Sequence, residues 1–163
     1  MKILFVILLG LTLNSLQKDL VYKSDKWKYK LFYPNEFKFT KSNNPNVDFY
    51  VIDGYGGSIL VNILPKNQPM SYESVTKPSL ENELKKTAKN TKITQFYEKV
   101  IGGCKSKISY LDVSNGKTVI KQIFCLVYNK NYVAAISMSS IPENFKYDEI
   151  KYLKTINSIE FYK

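Results

Sequence analysis

Few residues in this 163-residue chain are equipped for chemistry. It has no histidine, and its 24 basic residues are all lysines. That removes His-based triads, imidazole metal sites and histidine proton shuttles together. Ser74-Val75-Thr76-Lys77 fits the Ser-x-x-Lys pattern, in which a lysine helps to activate a serine hydroxyl. A chain this rich in Ser and Lys supplies such matches by chance: Ser15/Lys18 and Ser114/Lys117 fit too, and neither Ser-Asp-Asn nor Lys-Thr-Gly accompanies them. Glu81 and Glu83 are two apart on a helical stretch, so they point different ways and read as solvated charge, not as a paired acid and base. Asp53-Gly54-Tyr55-Gly56-Gly57-Ser58 lacks the alternating oxygen ligands of a calcium loop and the Lys-Ser/Thr pair of a phosphate loop. It reads as a hairpin turn. The sequence points to no enzyme, no cofactor and no metal. The enzymatic alternative, a small hydrolase without His, needs two reactive groups in one cleft, and the sequence offers no such pair.

Two side-chain sets remain. Cys104 and Cys125 flank Ser114-Asn115-Gly116, a strong hairpin signal. A two-residue turn there sets Cys104 opposite Val127 and Cys125 opposite Ser106. That makes the cysteines diagonal neighbours, about 7–8 Å apart and beyond the usual disulfide span. A bulge or a two-residue shift would bring them face to face, and an oxidising compartment favours pairing. A disulfide and a pair of small buried apolar residues both stay open. Aromatics make up 14% of the chain. Among them Tyr29, Phe32, Tyr50 and Tyr55, with Tyr33 and Phe49, form a candidate groove for a sugar, peptide or lipid, against the alternative of plain core packing.

The elements that must position these groups follow from hydrophobic period. Trp27 to Tyr33 alternates as an amphipathic strand, Pro34-Asn35 breaks it, and Phe37-Lys38-Phe39 resumes it. Val47 to Asp53 and Ser58 to Leu64 form a hairpin across the Gly-rich turn. The apolar run Ile59 to Leu64 predicts a strand covered on both faces, with the helix over Ser71 to Asn90 as its cover. Pro78 places the main helix at about Pro78 to Lys89. Ile93 to Ile101 reads as a strand, with a bend or bulge at Gly102-Gly103. Cys104 to Val113 and Lys117 to Tyr128 form a long hairpin, and Tyr132 to Met138 adds a strand. A helix over Asn144 to Asn157 precedes a last strand at Ile159 and Phe161. No repeat or linker divides the chain, so one α+β domain is expected, a central antiparallel or mixed sheet sandwiched by helices.

The start of the chain predicts its compartment. Met1-Lys2 and the apolar run Ile3 to Leu13 fit a secretory signal over residues 1–17, with the mature domain at 18–163. The run is too short for a membrane span, which needs about 20 apolar residues. Secretion or a periplasmic location is the expectation. Loss of residues 1–17 removes Lys2 and no acid, so a formal charge of +10 falls only to +9. Such a field suits contact with a membrane surface or an anionic envelope polymer, and also a merely soluble surface. The lysines are scattered among acids and no arginine is present, which excludes a nucleic-acid role.

The order of these pieces resembles the PsbP-like family, whose fold is shared with a Ran-binding nuclear import factor and with small exported DcrB-like bacterial proteins. The resemblance is carried by Tyr29-Lys30-Leu31-Phe32-Tyr33-Pro34 with Phe37, the Val47 to Leu64 hairpin and the helix after it. The long Cys104 to Tyr128 hairpin and the closing helix running into Ser158-Ile159-Glu160-Phe161 complete it. It spans nearly all of 18–163. It implies a central antiparallel sheet sandwiched by helices in a non-catalytic protein that docks to other proteins. No functional residue transfers, and without His the metal role of photosynthetic members has no imidazole here. The functional expectation is therefore an exported, non-enzymatic accessory or binding protein whose partner is a protein or cell-envelope component. The alternative is a lysine-driven binder of anionic envelope polymer or lipid.

Overall fold

A computed structural model describes residues 19–65, 70–114, 116 and 118–163. The proposed leader, residues 1–17, lies outside the described residues, as do Asn115 and Lys117 of the proposed hairpin turn.

Among the described residues ten strands and two helices follow in the order β1 (Leu20–Ser24), β2 (Tyr29–Tyr33), β3 (Lys38–Phe39), β4 (Val47–Ile52), β5 (Ser58–Pro65), α1 (Lys77–Thr87), β6 (Asn90–Ile101), β7 (Cys104–Ser114), β8 (Val119–Tyr128), β9 (Tyr132–Ser140), α2 (Pro142–Asn157) and β10 (Glu160–Phe161). Seven strands form one antiparallel sheet in the order β3-β4-β5-β9-β8-β7-β6, and β1-β2-β10 form a smaller one. Strand alternation divides the large sheet between two cores. On its inner face Phe49, Ile59, Val61, Ile123, Cys125 and Ile136 pack against the small sheet and against Phe145, Tyr152 and Ile156 of α2. On its outer face Ile93, Leu111, Leu126 and Val133 pack under Leu80 of α1 and Val75 just before it.

Both helices start where the sequence sets them. Thr76 caps α1 in a reciprocal box with Ser79, and Pro78 occupies the first turn, where no amide donor is needed. Pro142 opens α2 in the same way, and Lys154 lies near its C-terminal dipole end.

The structure corrects four local expectations. Leu20–Ser24 is a strand that the hydrophobic pattern does not reveal, because only Tyr22 and Ser24 turn inward on this edge. Gly102-Gly103 is neither bend nor bulge. It is the two-residue turn of the β6–β7 hairpin, with φ of 55° and 78° and Ile101 paired to Cys104. The β6 irregularity falls instead between Ile93 and Gln95. Finally, α1 packs chiefly over β6, and of β5 only Leu64 reaches the core beneath it. Leu60 therefore belongs to neither core, although its strand is interior to the sheet.

Candidate binding site

Among the described residues none of the sequence motifs assembles a reactive centre. Ser74 donates its hydroxyl to the Ser71 carbonyl at 2.9 Å, so the Ser-x-x-Lys stretch builds the turn and cap that lead into α1. Glu83 pairs with Lys86 on the helix surface. Glu81 is more than solvated charge: one of its oxygens takes Lys85, and the other accepts the Ile93 amide at 2.8 Å, which fastens α1 to β6. These donors, Lys85 first, hold its carboxyl below the usual range. Asp53 accepts the amides of Tyr55 and Gly57 at 2.7 and 2.8 Å and so closes the β4–β5 turn. Among the described residues no cluster of three or more His, Cys, Asp or Glu exists to hold a metal.

The four candidate groove aromatics do not converge. Tyr29 is buried in the inner core, with its hydroxyl on Asp48. Phe32 is three residues along the same strand, hence on the opposite face. It lines a cleft of about 580 Å³ between β2 and α2, where its amide donates to the Ser158 hydroxyl. Tyr50 alternates with buried Phe49 and Val51 and so faces outward from β4. Tyr55 stands at the hairpin tip, 76% exposed. Strand parity separates what a linear reading groups together.

The cysteines diverge as well. Ser114 pairs with Val119, not with Lys117, so Cys125 lies opposite Ile108 and Val127 opposite Ser106. This is a two-residue shift in the direction that moves Cys104 and Cys125 apart, and both are free thiols. Cys125 is wholly buried, and burial pushes its thiol up to about 12; burial also raises half-buried Cys104. Neither is an activated nucleophile.

Three arrangements could not be found by spacing. Asp48 receives both Tyr22 and Tyr29, from the small sheet, on one oxygen at 3.1 and 2.8 Å. Buried Asp148 accepts from Ser140 at 2.6 Å, and Lys151 bridges it to Glu36. Lys107 is buried, paired with Glu98 at 2.9 Å and stacked 4.2 Å from the Tyr72 ring centre. Each joins residues from distant segments, and each is a closed structural contact.

What stays open is the outer face beyond α1. Tyr50 pairs with Leu60, Leu60 with Ser137, and Ser137 with Phe124, which makes one continuous row across β4, β5, β9 and β8. Ile52 and Ser58 form the next step of this face. Phe124 reaches the α1 core, whereas Tyr50 and Leu60 lie outside both cores and Ile52 is 37% exposed. The row offers apolar contact without a catalytic set.

Comparison with solved structures then decides the fold. Cyanobacterial PsbP (CyanoP) from Synechocystis sp. PCC 6803 superposes with a TM-score of 0.68 at 12% identity, over 90% of this chain and 94% of its own. The chain has the PsbP-like fold. The Saccharomyces cerevisiae Ran-binding protein Mog1p shares that fold, with a TM-score of 0.64 at 7% identity, over 89% of this chain and 96% of its own. LpqN, involved in cell envelope biogenesis of Mycobacterium tuberculosis, matches at 0.54 and 6%, over 90% and 91%. No protein-family model and no curated protein sequence matches the chain. The PsbP-like architecture is thus held by core pattern and topology at very low identity.

Proposed function

We propose that this protein is an exported, non-enzymatic binding module that docks to a protein partner of the cell envelope through the outer face of β4 and β5. The observation that carries the reading is the in-register Tyr50–Leu60–Ser137–Phe124 row, which α1 leaves largely uncovered. Interior strands with an apolar face and no covering helix are suited to burial against another surface. The proteins that share the fold lend support of a coarse kind: the names they carry are a PsbP, a Ran-binding protein and a protein involved in envelope biogenesis. The apolar leader Ile3 to Leu13 supports export.

Photo-crosslinking tests this reading. A benzophenone amino acid at Tyr50 should capture one defined protein in envelope extracts at low and high salt, while the same probe at exposed Tyr147 of α2 should not. Equal capture at both sites defeats the docking face. Capture of polymer or lipid alone, lost in high salt, transfers the role to the net positive charge of the mature chain.

A further inference from the structure

A second cleft on the outer side of the large sheet is built differently from the Tyr50 row. It measures about 610 Å³, within the range of small-molecule sites. Leu64, Met70 and Val133 form its apolar wall, and Tyr72 and Tyr128 meet edge-to-face across it at 5.2 Å. Its mouth carries positive charge. Lys130 lines the rim, is exposed and has no ion pair among the described residues. Lys105 sits 5.2 Å from the centre of the Tyr72 ring. Lys107 is already matched by Glu98, and Glu73 is the other acid close to Tyr72 and Tyr128. The local balance of these five groups is therefore one positive charge. The Tyr128 hydroxyl is buried without a hydrogen-bond partner among the described residues. A phenol is protonated near neutral pH and burial only strengthens that, so it is a donor that the fold leaves unused.

We propose that this cleft binds the tail of a single-chain amphiphile whose anionic head rests at Lys130 and Lys105. An apolar wall selects for alkyl chain, and an unpaired ammonium at the rim selects for an acidic head over a neutral one. The inference is independent of the Tyr50 docking face, since the lining residues of the two do not overlap.

Octanoate, decanoate and dodecanoate, kept below their micelle concentrations, are the probes, with alcohols of the same lengths as neutral controls. Amide resonances report the site and calorimetry the affinity. Saturable shifts should centre on Leu64, Tyr128 and Val133. Affinity should rise about fourfold for each added methylene until the cleft is full. The alcohols should bind about fivefold more weakly, and Lys130→Gln, at an exposed position that does not endanger folding, should erase that difference. Absence of saturable shifts overturns the proposal. So does charge dependence without chain-length dependence, which is surface adsorption, or equal binding of acid and alcohol, which removes the anionic head. Phosphatidylglycerol vesicles that shift the same resonances support the site with a bilayer lipid as its source. Binding of the monomeric acids alone supports it with a free amphiphile.

Discussion

Tyr29 of the small sheet donates its hydroxyl to Asp48 of the large sheet at 2.8 Å, in the layer where the two sheets meet. The Tyr22 hydroxyl reaches the same carboxylate oxygen and also the Asp48 carbonyl. Neither β1 nor β2 pairs with β4 in a ladder, so this shared acceptor fixes how one sheet sits on the other.

Replacing Asp48 by Ala strands a buried phenol. The expected loss is about 1–3 kcal/mol, the cost of leaving such a group unpaired. Tyr29→Phe removes the donor along with its need for a partner and should cost less. Urea unfolding midpoints of the two single variants and the double variant check this. If the two changes simply add, the coupling across the sheets is absent.

Alkali should unfold the protein through its tyrosines. Burial, followed by the Asp48 charge, pushes Tyr22 up to about 12; burial does the same to Tyr128 and Tyr132, and Tyr29 is driven higher still. A raised folded-state value means that the neutral phenol is favoured in the native state. The stabilisation is whole below the unfolded value near 10 and drains away as pH climbs from there through about 12. Ellipticity should be lost in one cooperative step within that window, and the part of the tyrosinate absorbance that comes from these phenols should appear with it. Ionisation of these buried phenols with the fold intact would refute the assignment.

The two turn glycines should differ on mutation to Ala. Both have positive φ, which costs an alanine about 1 kcal/mol or more. At Gly103 a Cβ meets nothing within 4 Å. At Gly102 it would fall 2.7 Å from the Ile159 carbonyl oxygen and 2.9 Å from the Phe161 ring. Gly102→Ala should therefore lower the thermal midpoint distinctly more than Gly103→Ala. Equal losses would mean that β10 yields freely at this contact.

The thiols offer a direct count. In the native protein a thiol reagent should modify half-buried Cys104 slowly and spare Cys125, and both should react after unfolding without prior reduction. A requirement for reductant before any thiol appears would establish a bond that the β7–β8 register opposes.

The local physics of this chain is legible in one dimension. Alternation at Trp27 to Tyr33 and across the β4–β5 hairpin, 3.6-residue spacing in α2, Pro78 in the first turn of α1 and the Gly-rich β4–β5 turn each act within a few residues of their cause. Their order was enough to indicate the PsbP-like architecture, and the missing histidines already emptied most of the catalytic repertoire. The sites were far less legible. Tyr29 and Phe32 are close in sequence, yet strand parity sends them to opposite faces. The cysteine pairing turned on a two-residue register choice, to which composition is blind. Tyr50, Leu60, Ser137 and Phe124 make one row only after four strands have taken their places in the sheet. Lys107 looks like any other lysine until Glu98 and Tyr72 close around it. Propensity and periodicity are set by near neighbours and survive in the sequence. Register, and which face a helix leaves bare, depend on contacts between distant segments, and those exist only once the chain has folded.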